Sequence, residues 1–377
     1  MGRKQPVRKQ TTAEGRGSKE NGTKRQSTVR RQSKVASQQE DDGTQIETGA
    51  PKKSSGTKRV KRKEAEKTLN ESNAHGQSLK QFTLATCETG IPALVDEFIK
   101  IKLMGQANIP PKIAFDANPD KNRYKYGLDV FCMDESRVVL TWPPGCTSDY
   151  IHANWLPVRG EKKFICTQGP TDKTVDDFWR LVWQEKTKAI VMLCGIMELG
   201  KKKCEQYWMD KAGEQMKVAS GITIKTIDVS ETEKNLTLSK LELSVEGHDN
   251  FVVHHFLWKE WPDRGVPENF MACFRLLQRL KTYPPPTLVH CSAGIGRTGT
   301  ICGLEMANQI LNAGDRLVMA DVVKELRQHR HGSVQTDVQY IYMHRVLIGL
   351  AENKKLVKHE EIAPFYESYE NFIKGKS

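Results

Sequence analysis

Residues 287–300 read TLVHCSAGIGRTGT, and two chemistries compete for them. Gly294, Gly296 and Gly299 spell G-x-G-x-x-G between an apolar run and a helical pattern, the context of a dinucleotide-binding turn. The same stretch also reads Cys-x5-Arg, with Cys291 and Arg297 set across a loop of small residues. A dinucleotide turn needs a second strand ending in an acidic residue roughly 20 positions on. Asp315 has that spacing but sits in the turn-like NAGDR between two helical patterns, with no strand before it. The loop also lacks the Lys-Ser/Thr ending of a Walker A loop. Context therefore argues against a nucleotide.

The cysteine fits better. A loop feeding a helix N-terminus offers several backbone N–H donors that converge on a phosphate. Arg297 adds a planar fork for two phosphate oxygens. The same field favours thiolate over thiol and lowers a pKa that is normally ~8.5. Cys291 then stands as an anion ready for in-line attack, and Thr298 can donate its hydroxyl to the sulfur and help it leave. The bland alternative is a buried cysteine beside a glycine-rich turn. A thiolate that displaces a tyrosine from its phosphate expels a phenolate of parent pKa ~10, so an acid is required. EWPDRGVPEN (260–269) supplies Asp263 between Pro262, Gly265 and Pro267, as a loop with a hinge.

Around this stretch the chain divides by composition. Residues 1–80 hold 20 Lys and Arg against 9 Asp and Glu, while the rest is nearly balanced, so the net charge of +12 belongs to the N-terminus. That segment has no Phe, Trp or Tyr. Too little apolar surface is available there to offset ordering entropy, which implies a disordered basic tail over 1–84. It repeats basic residues ahead of a hydroxyl, at RKQT (8–11), KRQS (24–27) and RRQS (30–33), a pattern open to phosphorylation. KRVKRK (58–63) could bind a polyanion or direct nuclear entry.

Ile91, Leu94, Val95, Phe98 and Ile101 recur at helical spacing, with Pro92 in a first turn. KAIVMLC (188–194) and TLVHC (287–291) have the look of buried strands. Alternation over 222–245 changes phase, which implies bulged or bent strands. GTICGLEMANQIL, ADVVKELRQH and QYIYMHRVLIGL return to helical periodicity. One α/β domain over 85–353 follows, with a polar tail over 354–377 that carries Phe365, Tyr366, Tyr369 and Phe372. The nine cysteines (Cys87, Cys132, Cys146, Cys166, Cys194, Cys204, Cys273, Cys291, Cys302) are odd in number and form no C-x-x-C pair. With no signal-like segment and no run near ~18 apolar residues, they indicate a reducing, cytoplasmic setting without a membrane span. Oligomeric state has no signature in the sequence.

From here the sequence resembles the protein tyrosine phosphatases, in their tyrosine-specific, non-receptor-like branch, over about 85–353. The resemblance rests on an ordered series: KNRY (121–124), SRVVL, SDYIHANW, TQGP (167–170), DFWRLVW, MELGKKKCEQYW, WPDRGVP, VHCSAGIGRTG and VQTDVQY. It implies a twisted mixed sheet flanked by helices, with the Cys-x5-Arg loop between a strand and a helix. It implies Tyr124 as the aromatic wall on phosphotyrosine, and Ser292, Ala293, Gly294, Ile295 and Gly296 as the cradle with Arg297. Glu198 would brace Arg297, Lys203 would lie near the acid loop, and His290 would support the cysteine. Gln335, assisted by Gln339, would position the hydrolytic water, and Asp263 would act first as acid and then as base. No metal or cofactor is implied, and phosphotyrosine proteins are the implied partners. An RNA 5′-triphosphatase shares Cys-x5-Arg, and a non-catalytic phosphotyrosine-binding scaffold would share the pocket. Tyr124 weighs against the first, and intact Asp263, Arg297 and Gln335 against the second. Four positions depart from the family pattern: Tyr126, where Asp or Asn usually holds the peptide backbone, His152 in place of Asn, Arg264 in place of His, and Gly332, which leaves space beside the pocket.

Overall fold

All five residues of 287–291 are buried and form the fourth strand of a nine-stranded sheet. The computed structural model describes residues 56–124, 130–259 and 261–376. The repeats at 8–33, the side chains of 58–63 and Tyr126 lie outside the described residues. In chain order the sheet strands are β1 (Arg137–Val139), β2 (Tyr150–Val158), β3 (Glu161–Gln168) and β4 (Ala189–Met192). A separate hairpin follows, β5 (Met197–Glu198) and β6 (Lys201–Lys202). The sheet resumes with β7 (Gln215–Lys217), β8 (Thr223–Glu233), β9 (Leu236–Ser244), β10 (Phe251–Trp258) and β11 (Thr287–Cys291).

The sheet is mixed, in the order β1-β2-β3-β11-β4-β10-β9-β8-β7. Its centre, β3-β11-β4-β10, is parallel, and both wings are antiparallel. Parallel strands are covered on both faces, which explains why β4 and β11 read as unbroken apolar runs. The phase change expected over 222–245 is present as register shifts in β8, after Thr226 and after Glu231, while β9 keeps unbroken register with β10.

The helices are α1 (Gly56–Ala107), α2 (Ile113–Ala117), α3 (Val175–Gln184), α4 (Phe270–Leu280), α5 (Gly296–Asn312), α6 (Met319–His329), α7 (Asp337–Asn353) and α8 (His359–Lys374). α1 is interrupted at Gly90, where φ is 73°, and Pro92 opens its second part. NAGDR forms the turn between α5 and α6, with Gly314 at φ 76° and no strand before Asp315. Among the described residues no helix is long and apolar enough to cross a membrane.

Packing extends beyond both expected domain boundaries. His75, Leu79, Phe82 and Thr86 are all buried, so the ordered body starts before residue 85. Their spacing of three to four residues is one helical stripe, but half of it is polar, and averaging over a basic segment conceals it. The same correction applies at the other end, where 354–377 is not a loose tail. Ile362, Phe365 and Tyr369 on α8 are buried against the core, again on one face.

Candidate active site

The loop from Cys291 to Gly296 joins the central strand to α5, and its carbonyls from Ser292 to Ile295 each accept from a residue outside it. Gly169 N–H donates to Ser292 O at 3.0 Å, and Val334 and Gly299 N–H both donate to Ile295 O at 3.0 Å. The Arg330 guanidinium donates to Ala293 O at 3.0 Å and Gly294 O at 3.1 Å. With its carbonyls drawn away, the loop turns its N–H groups inward, and Gly294 N–H lies 3.2 Å from the Cys291 sulfur. Gly294 has φ 72°, and a Cβ there would collide with the Thr167 carbonyl. A Cβ at Gly299 would meet Val334 N at 2.6 Å. The glycines therefore permit tight curvature around the sulfur.

Cys291 is 4% exposed, and burial by itself works against a thiolate. The Arg297 charge, the Thr298 hydroxyl and the N–H groups of Thr298 and Gly294 outweigh that burial, and the pKa falls below the ordinary thiol value. The Thr298 hydroxyl is buried and has no other partner among the described residues. Arg297 is 2% exposed and held in a fork by Glu198, at 2.6 and 3.0 Å, with Trp261 O at 2.8 Å. Its other near neighbour is Asp263, at 3.4 Å. Asp263 also pairs with Lys203 at 2.5 Å. Partial burial pushes the Asp263 carboxyl up, but Lys203, Arg297 and Arg264 together take it below the usual carboxylate range.

These groups open on one cavity of about 520 Å³. Tyr124, Ser292, Ala293, Gly296, Gln335 and Gln339 also line it. The Tyr124 hydroxyl meets Ser292 Oγ at 3.0 Å. The TQGP turn fixes this segment, since Arg123 N–H donates to Gln168 Oε1 at 2.9 Å and its side chain to Gly169 O at 3.0 Å. Gln339 Oε1 accepts from Gln335 N–H at 2.9 Å, while Gln339 Nε2 is buried with no partner among the described residues. Ile295 and Gly332 border a neighbouring hollow of about 280 Å³, which shares Arg264 and Gln335 with the first. His152 is buried under Val130, with its Nε2 3.3 Å from that carbonyl, and burial holds the ring neutral by lowering its pKa to about 3.

Two features went unread in the sequence. Arg330 is fully buried and also donates to Asn154 Oδ1 at 2.7 Å, so it ties the loop to β2. Beneath the loop, Tyr207 Oη lies 2.7 Å from His290 Nε2 and 2.6 Å from His255 Nε2. His290 Nδ1 in turn lies 3.2 Å from Cys291 O. Tyr207 stands in the quoted CEQYW, and His255 on an inward position of β10, but only the fold brings them together.

A parallel-centred sheet with a low-pKa cysteine and a braced arginine at the exit of its middle strand defines a phosphate-handling site. Residues 118–349 match the family model "Protein-tyrosine phosphatase". The chain belongs to this family. It is 35% identical to the human receptor-type tyrosine-protein phosphatase H over 74% of this chain and 25% of that protein. Against the human tyrosine-protein phosphatase non-receptor type 12, identity is 36% over 63% of this chain and 31% of the relative. The chain thus spans only a quarter to a third of the length of these two relatives. The solved catalytic domain of human protein tyrosine phosphatase non-receptor type 18 is similar with a TM-score of 0.64 and 32% identity, covering 69% of this chain and 96% of that one.

Proposed function

We propose that this protein hydrolyses phosphotyrosine in proteins through a cysteinyl-phosphate intermediate. In the first step the Cys291 thiolate attacks phosphorus, the S–P bond forms and the P–O bond to tyrosine breaks. The departing phenolate takes a proton from Asp263. In the second step the Asp263 carboxylate takes a proton from a water oriented by Gln335 and Gln339. That water attacks phosphorus, and the S–P bond breaks to return the thiolate, aided by Thr298. Arg297 and the loop N–H groups hold the phosphoryl oxygens throughout, so positioning and electrostatics carry most of the rate.

The observation that carries this reading is one cavity lined by a cysteine of lowered pKa, a carboxyl group, an arginine 3.4 Å from that carboxyl and a tyrosine. Lys203, Arg297 and Arg264 hold Asp263 ionised. A phosphate dianion brings negative charge beside it and engages Arg297, which raises its affinity for the proton it must donate. Solved structures of the type 18 relative hold HER2 phosphopeptides, which supports a peptide substrate. An RNA 5′-triphosphatase is disfavoured by the Tyr124 wall and a scaffold by the complete set of reacting groups. Nine unpaired cysteines suit a reducing cytoplasmic compartment, and the run 58–63 is a nuclear-entry signal to test.

Phosphate release from a phosphotyrosine peptide tests the proposal. Cys291→Ser should reduce it to background, and acid-quenched wild type should carry a phosphoryl group on Cys291. Faster release from triphosphate-ended RNA than from the peptide would overturn it.

A further inference from the structure

The rim of the cavity carries a leucine in an unfavourable place. β5 and β6 pair Met197 with Lys202 and Glu198 with Lys201, leaving Leu199 and Gly200 as a two-residue turn. Both turn residues have positive φ, 48° and 73°. Such turns favour Asn, Asp or Gly, because a side chain with a Cβ is strained in the left-handed region. Leu199 accepts this strain and is 94% exposed, so it gains no burial in return.

A lone exposed leucine is ordinary on a protein surface. This one lines the same cavity as Cys291. Its mounting is also rigid. Glu198, the preceding residue, grips Arg297 through both carboxylate oxygens and accepts Gly195 N–H at 2.9 Å. Lys203 N–H donates to Ile196 O at 2.8 Å and closes the base of the hairpin. The backbone of Leu199 is therefore anchored relative to Arg297, which fixes the point from which its side chain emerges.

Charge at the same rim is complementary to an acidic ligand. Lys201, Lys202 and Lys203 all line the cavity. Lys203 is engaged by Asp263 and Lys202 by Glu205. Lys201 has no ion pair among the described residues and stands directly across the hairpin from Glu198.

We propose that Leu199 and Lys201 form a second recognition point, which selects phosphotyrosine segments with an apolar side chain for Leu199 and an acidic one for Lys201 on the same side of the phosphotyrosine. The inference rests on the phosphatase function proposed above and adds the substrate class. Leu199 contributes through apolar area removed from water on binding, and Lys201 through a screened attraction that weakens with salt.

The test is a set of phosphotyrosine peptides with an all-alanine flank, in which each flanking position is changed in turn to Leu, Asp or Lys. kcat/KM for each is divided by kcat/KM for a small aryl phosphate, which carries no flanking residues. In wild type, Leu at one flanking position should raise this ratio about 5- to 20-fold, and Asp nearby about 2- to 5-fold at low salt. Leu199→Asn suits the left-handed turn and should remove the leucine preference while leaving the acidic one. Leu199→Met should keep it. Lys201→Gln should remove the acidic preference together with its salt dependence. A wild-type ratio indifferent to every flank would overturn the proposal. So would a Leu199→Asn effect equal on peptides and aryl phosphate, since the leucine would then only shape the hairpin. No turnover of the aryl phosphate by wild type would sink the phosphatase function itself, and this inference with it.

Discussion

The loop that holds Cys291 and the loop that holds Asp263 face each other across one cavity and are built on opposite terms. Around Cys291, four successive carbonyls from Ser292 to Ile295 are each tied to a neighbouring element, two of them by the buried Arg330. Around Asp263, attachment is sparse. Trp261 O accepts from Arg297 at 2.8 Å, Arg264 O accepts from Thr336 Oγ1 at 3.1 Å, and the Asp263 carboxylate accepts only from the side chains of Lys203 and Arg297 among the described residues. Pro262 and Asp263 are exposed, whereas Cys291 is buried. A phosphate must find its donors already aligned, because reorganisation during the reaction would forfeit their electrostatic benefit. An acid that serves a departing group and then a water benefits from a lighter hold. On the proposed mechanism the contrast is between a fixed electrostatic mould and a more lightly held proton carrier.

Three experiments bear on this contrast. The largest effect is expected from Asp263→Ala, which should lower kcat by roughly 10²–10⁴ while substrate binding persists. Equal turnover by the variant and its parent would remove the acid from the comparison. Next comes Arg330→Met, which frees the carbonyls of Ala293 and Gly294 and leaves Asn154 Oδ1 without its donor. It should lower kcat/KM by roughly 10²-fold and raise the pKa at which Cys291 is alkylated. Unchanged alkylation would mean that the mould does not depend on its buried brace. The smallest effect is expected from Lys203→Met. Lys203 holds the Asp263 carboxyl down, so its loss should raise that pKa and carry the alkaline limb of kcat/KM to higher pH. A shift towards lower pH would contradict the charge assignment.

What the sequence disclosed follows the same division. Cys291, Arg297 and Asp263 announce themselves because their chemistry is written in residues close along the chain, and the ordered series around them pointed to Glu198, Lys203, Tyr124 and Gln335 in turn. Each of these lies at or directly behind the wall of one cavity. Arg330 gave no such sign. In RQHRHG it reads as the basic end of a helix, and its value depends on carbonyls 36 and 37 positions away. The packed stripe of His75, Leu79, Phe82 and Thr86 was invisible for a different reason, since its surroundings are polar and its partners lie on distant helices. Support that lies inside a recognisable motif, such as Glu198 99 positions from Arg297, was legible, and support outside any motif was not.

The buried row beneath the loop has a direction. Burial lowers the pKa of both His255 and His290 to about 3, so each ring carries a single proton. His290 Nδ1 faces a carbonyl and must donate, which leaves its Nε2 to accept from Tyr207. Tyr207 has only one proton, so it accepts in turn from His255 Nε2, and His255 Nδ1 is left with no partner among the described residues. Three protons therefore all point towards Cys291, and reversing any one would set two lone pairs against each other. The row therefore has one polarity while both imidazoles stay neutral, and its last proton is directed at the carbonyl of the residue that carries the sulfur.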